Sequence, residues 1–193
     1  MKVIGFAGSP RKGGNSDLVL DALLAGAKGA GAETKKVYLD DLELCGCDAC
    51  YVCNSSGKCH HNDDLAKLVR TLPDYDLWVL ATPVYWWSPS MPAKALIDRL
   101  FSLCFGPNPK RIKDKKFALI TASGNPPREA AIYIKGTMKK SILFLGMEWA
   151  GEVMVQALKK GEIANDEAAL DKAFKLGKKI IKKAQKDAEE AAE

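Results

Sequence analysis

No stretch of this 193-residue chain stays apolar for the ~18–20 residues a membrane-crossing helix needs. Runs such as Leu77–Ala81 and Ile142–Leu145 have the length of core segments, which excludes a helical membrane protein. Charge of one sign is not in large excess either. The formal net charge is +5, with much of the surplus on Lys115, Lys116 and the lysines between Lys172 and Lys186. Lysines on a helix face are ordinarily just solvated, so no nucleic-acid partner is implied. Internal repeats and linkers are absent. Met1–Phe6 enters a strand-like run with no signal-peptide core, from which a cytoplasmic protein is expected. What remains is a chain 47% apolar and 27% charged, long enough for one well-filled domain.

Five strand-like runs alternate with helical ones: Val3–Ala7, Glu33–Leu39, Leu77–Ala81, Phe117–Thr121 and Glu148–Val155. The first, third and fourth are continuously apolar, as strands of a parallel sheet covered on both faces must be. The predicted helices start at Asn15 or Ser16 (as N-cap) and leave at Gly29/Gly31, run from Asp63 to Leu72, from about Pro92 to Cys104, from Glu129 to Phe144, and from Asp166 to Glu190. The tract from Gly26 to Gly31 reads as a helix exit without a ligand. The expected fold is an α/β flavodoxin-like, doubly wound, five-stranded parallel sheet of order 2-1-3-4-5 in three layers. Residues 1–193 form one domain, with a cysteine-rich insertion at about 44–62. Such sheets bind ligands outside the carboxyl ends of their strands.

Three loops at that edge carry chemistry. The first, Gly8–Ser16, has glycines that free backbone N–H groups to face an anion, a helix N-terminus, and donors on Ser9, Arg11, Asn15 and Ser16. It is neither a Walker A loop nor GxGxxG, and suits a terminal phosphate monoester better than a pyrophosphate. The third strand ends in Pro83-Val84-Tyr85-Trp86-Trp87, aromatic groups suited to a flat ring. At least one of them is expected to pack on the next helix or a subunit interface. The fourth ends in Ser123-Gly124-Asn125, which can reach the ring's other edge. A phosphate loop and two flanking loops describe a mononucleotide, and FMN is the candidate.

Six cysteines stand at 45, 47, 50, 53, 59 and 104, five of them within fifteen residues. The spacing Cys47-x2-Cys50-x2-Cys53-x5-Cys59 suits one [4Fe–4S] cluster with four thiolates. Cys45 falls outside the run, and Cys104 reads as core. A zinc site on the cysteines, with or without His60 or His61, a thiol switch, or plain loop residues are the alternatives.

Together these segments resemble the iron–sulfur flavoprotein family, a branch of the flavodoxin-like NAD(P)H-dependent FMN reductases. The matching pieces are GSPRKGGNS, the compact cysteine run, GKCHHNDDL, ATPVYWWSPSMPAKALIDR and TASGN. The resemblance implies FMN held by Ser9, Arg11, Asn15, Ser16, Pro83, Val84, Tyr85, Trp86, Ser123, Gly124 and Asn125. It also implies a [4Fe–4S] cluster on Cys47, Cys50, Cys53 and Cys59, a homodimer or homotetramer, and electrons from ferredoxin. An FMN-dependent oxidoreductase reducing a small acceptor is the expected function, with no catalytic side chain named. Two other readings are a cluster-free NAD(P)H-dependent FMN or quinone reductase, its cysteines structural or zinc-bound, and a redox carrier or sensor without turnover.

Overall fold

The computed structural model describes residues 1–190; the last three residues of the expected domain lie outside the described residues. Its elements are β1 (Lys2–Ala7), α1 (Asn15–Gly29), β2 (Glu33–Tyr38), α2 (Cys53–Ser56), α3 (Asp64–Thr71), β3 (Leu77–Tyr85), β4 (Ser88–Pro89), α4 (Met91–Arg99), α5 (Asn108–Ile112), β5 (Lys116–Ser123), α6 (Pro127–Ala130), α7 (Ile132–Phe144), β6 (Glu148–Gln156) and α8 (Glu167–Glu190).

Five strands pair in parallel in the order β2-β1-β3-β5-β6, the expected doubly wound arrangement. Successive side chains of each inner strand point to opposite faces, and both faces are covered. Val3, Val79 and Ile120 meet α1 and α8 in one core layer, while Ile4, Trp78 and Leu119 meet α3, α4 and α7 in the other. That double burial is why these strands read as unbroken apolar runs.

The sheet holds six strands rather than five. β3 continues past Ala81 to Tyr85, then reverses at Trp86-Trp87, so that β4 pairs antiparallel with Val84 and Tyr85. Both tryptophans adopt positive φ, 49° and 57°, as a two-residue reverse turn requires. Tryptophan is not a turn former in that region, and Pro83 argues against strand, so the sequence hides the hairpin.

Other boundaries shift for local reasons. The N-cap of α1 is Gly14, not Asn15 or Ser16, and no side chain caps it. The helix expected from Pro92 to Cys104 is α4 followed by a 3-10 turn, Leu100–Cys104. The helix expected from Glu129 is broken at Ala131 into α6 and α7. Gly26 is no part of a helix exit: it lies inside α1 against the backbone of α8 at Phe174. Cys104 is half-buried at the margin of a core layer.

Candidate functional site

The loop after β1 is pinned from inside the fold. Gly8 N–H donates to Ala81 O (2.8 Å), and the hydroxyl of fully buried Ser90 donates to Gly8 O (2.5 Å). Ser90 N–H in turn donates to Thr82 Oγ1 (3.0 Å), so the N-terminus of α4 fastens the first loop to the third strand. Within the loop, Arg11 N–H donates to Ser9 Oγ (3.1 Å), Gly13 N–H to Asp17 Oδ2 (2.8 Å) and Gly14 N–H to Arg11 O (2.8 Å). The amides of Asn15 and Ser16 open α1 and have no intrahelical acceptor. The uncapped helix start therefore presents free donors and positive partial charge.

Two adjoining cavities lie along the carboxyl edge. One, about 190 Å³, is lined by Ser9, Arg11, Asn15, Ser16, Pro83, Val84, Tyr85, Ser123 and Gly124. The other, about 300 Å³, shares Val84, Ser123 and Gly124 with it and adds Trp86 and Asn125. All eleven residues expected around a mononucleotide thus line one or the other of two cavities that share walls. Trp86 is 88% exposed and held in a left-handed turn, so it packs on neither helix nor core. Such strain persists only where the surroundings impose it.

A fourth wall lies outside the three expected loops. Ala157, Leu158 and Lys160, after β6, also line the smaller cavity. Asn15 ties this segment down: its Nδ2 donates to Lys159 O (2.8 Å) and its Oδ1 accepts from Ile163 N–H (3.2 Å). The side chain of Asn15 is thus a strut between loops, with its backbone amide left on that cavity. The signal was available, since β6 neighbours β5 and its exit carries Lys159-Lys160 beside the glycine-rich loop after β1.

The cysteine loop leaves β2 and wraps with two non-glycine residues at positive φ, Ala49 (55°) and Tyr51 (59°). They fall in the two-residue spacers of the run, where each reverses the chain. Cys53 and Cys59 are half-buried, and Cys47 and Cys50 exposed. Burial pushes the Cys53 thiol up, and the nearby thiols of Cys59, Cys50 and Cys47 add to it. Among the described residues, no three cysteine sulfurs lie within 4.8 Å of one another. Tetrahedral zinc, with Zn–S of about 2.3 Å, draws its sulfurs closer than that. Asp48, Cys50 and His60 do converge at that distance, with His60 Nε2 2.8 Å from Asp48 Oδ2.

Asp63 and Arg99 close the loop. Asp63 caps α3 through Ala66 N–H (2.7 Å) and forks with Arg99 (2.9 and 3.1 Å), whose side chain is 1% exposed. Burial works to raise the Asp63 carboxyl, but the Arg99 fork and the Ala66 and Cys45 donors outweigh it and hold it well below the usual range. A depressed carboxylate adds stability above its unfolded pKa and loses it as pH falls. The thermal stability gap between wild type and Asp63→Asn is therefore expected to narrow below roughly pH 4. A gap unchanged down to about pH 3 contradicts that role.

The sequence model of the NADPH-dependent FMN reductase family matches residues 1–143. An iron–sulfur flavoprotein of Methanocaldococcus jannaschii is 32% identical over 187 residues, covering 93% of this chain and 95% of that one. One from Archaeoglobus fulgidus is 31% identical over 180 residues, covering 93% and 79%. Among solved structures, the Trp repressor binding protein of Bacillus subtilis superposes with a TM-score of 0.70 at 22% identity, covering 91% of this chain and 99% of that one.

Proposed function

This chain belongs to the NADPH-dependent FMN reductase family, and from that premise we propose that it passes electrons through a [4Fe–4S] cluster and FMN between a redox donor and a small acceptor. That it is an FMN-dependent oxidoreductase follows from the family. The cluster reading is carried by one observation: the compact run Cys47-x2-Cys50-x2-Cys53-x5-Cys59 lies on one short loop, with the thiols of Cys47, Cys50 and Cys59 close enough to Cys53 to act on it. The nearly full-length likeness to iron–sulfur flavoproteins supports it.

FMN supplies two-electron chemistry when bound and the cluster supplies single-electron exchange; the chain holds, orients and screens both. Ser9, Arg11, Ser16 and the amides opening α1 take the phosphate, and Lys160 adds positive charge. Val84, Tyr85, Ser123, Gly124 and Asn125 frame the ring, and Pro83 shapes the wall beside them. Trp86 stands at the open side. Cys47, Cys50, Cys53 and Cys59 ligate the cluster in a loop inserted at about 44–62 of a single domain.

α4 joins the two sites. Ser90 at its start holds the phosphate loop, and Arg99 in its last turn holds the cysteine loop, at opposite ends of a nine-residue helix about 13 Å long. Lys58, next to Cys59, and the net positive charge favour an acidic donor such as ferredoxin, with NAD(P)H as the alternative. A cytoplasmic location belongs to the same reading, because a cluster-binding thiolate loop needs a compartment that keeps its cysteines reduced. The exposed apolar residues Tyr51, Phe101, Leu143 and Phe144 suit a homodimer or homotetramer. No described helix is long and apolar enough to cross a membrane.

The test is iron and acid-labile sulfide per FMN in anaerobically purified protein, with Cys47→Ser and Cys59→Ser beside wild type. About four irons per FMN are expected, lost in both variants with FMN retained. Iron-free wild type reduced rapidly by NAD(P)H overturns the cluster and leaves a cluster-free flavin or quinone reductase.

A further inference from the structure

Arg99 is the largest buried charged side chain among the described residues, with a relative exposure of 2%. A guanidinium in that position needs a reason, because an unbalanced charge out of water is costly. Asp63 supplies only part of one. The fork occupies Nη1 and Nη2, but Nη1 also donates to Cys45 O (3.2 Å) and stands 3.6 Å from Cys45 Sγ. Asp63 Oδ2 in turn accepts from Cys45 N–H (3.3 Å) and lies 3.4 Å from the same sulfur. The pair therefore grips the residue before the ligand run and, through Asp63 itself, the chain just after it.

Every residue between Cys45 and Asp63 is thus held in a loop whose two ends meet on one buried ion pair. By contrast, Arg70 donates to Cys59 O (3.4 Å) from an exposed position, where solvent screens it.

We propose that Arg99 and Asp63 form a buried charge couple that closes the cysteine loop and sets the reduction potential of the cluster it holds. Arg99 is a positioning residue: its bonds go to Asp63 and to Cys45, which lies outside the ligand run, and it acts through the loop ends and through its field. A fixed positive charge at low dielectric favours the more negative, reduced cluster, and a fixed carboxylate opposes it. In the wild type the two largely offset one another, so removing either exposes the field of the other. The inference rests on the cluster reading above.

The experiment is a midpoint potential, by redox titration with EPR detection near pH 8, on anaerobically purified full-length protein, with iron and sulfide counted in each sample. Asp63→Asn leaves the guanidinium unopposed, keeps an N-cap for α3, and is expected to raise the potential. Arg99→Gln leaves the carboxylate unopposed and is expected to lower it. Arg70→Gln, exposed, is expected to shift it less than Arg99→Gln. A purely structural role gives no such opposition of sign. Shifts in one direction for both buried variants, or none with full iron, overturn the proposal.

If Arg99→Gln takes up no cluster, Arg99→Lys decides. It keeps the charge but not the fork, so reduced iron occupancy at a near wild-type potential supports the couple. A potential displaced as far as in Asp63→Asn overturns it. Iron-free wild type removes the cluster reading and this one with it, a result visible before any variant is made.

Discussion

Gly14→Ala is expected to bind FMN about a hundredfold more weakly than wild type, about 2.7 kcal/mol, while its fold loses only ~1 kcal/mol. The backbone of Gly14 is ordinary for any residue, with φ −78° and ψ 172°, so strain is not the cause. The obstacle is room. A Cβ there stands 2.7 Å from Arg11 O, 3.2 Å from Arg11 Cβ and 3.6 Å from Ser9 Oγ. Arg11 O already accepts the Gly14 N–H, so the loop can relieve the contact only by opening where it would close on phosphate. Donor geometry there sets affinity, because charge-assisted bonds weaken steeply with misalignment.

Gly13→Ala is the control. Gly13 has φ +69° and a Cβ there meets nothing within 4 Å. Left-handed strain of about 1–2 kcal/mol is expected in its stability, with FMN affinity close to wild type. Flavin-fluorescence titration of the apoproteins and thermal melts separate the two. If Gly14→Ala binds FMN as wild type does, the phosphate does not sit in that loop.

This contrast shows what was legible in the sequence. Residue types at strand-to-helix junctions were legible, because the chemistry of an anion loop restricts them: Ser9, Arg11 and Ser16 line the smaller cavity as expected. The parallel sheet was legible because β1, β3 and β5 are apolar on both faces, which excludes most antiparallel arrangements. Conformations that residues ordinarily avoid were not. The Trp86-Trp87 turn carries none of the Asn or Gly that mark such turns, and so β4 was missed. Roles fixed by long-range partners were hidden as well. The strut from Asn15 to Lys159 and Ile163, 144 and 148 residues away, leaves no mark in the sequence. Arg99 reads as one more helical arginine until Asp63 and Cys45 surround it.

The same limit applies to glycine inside helices, and it produces the largest stability effect expected here. Gly177→Ala should destabilise the protein by about 3 kcal/mol, lowering the thermal midpoint by roughly 6–12 °C. Local propensity argues the other way, since alanine is better than glycine in a helix by ~1 kcal/mol. Packing decides. A Cβ on Gly177 stands 2.1 Å from Leu23 O and 3.0 Å from Ala27 N, and one on Gly26 stands 2.0 Å from Phe174 O. The two helices thus press backbone on backbone, each glycine admitting the other chain. Neither obstructing atom is the end of a flexible side chain, so α1 and α8 must part by more than an ångström to admit a methyl group. Parting them thins a core layer in which Leu23, Ala27, Ala173 and Ile181 are fully buried. Gly29→Ala, near the end of α1, is the comparison: its Cβ meets only Phe174 Cζ at 3.9 Å, and the midpoint should stay level or rise. Melts of the apoproteins compare the three. A Gly177→Ala midpoint at or above wild type means that the helices yield without loss, and that propensity outweighs the contact.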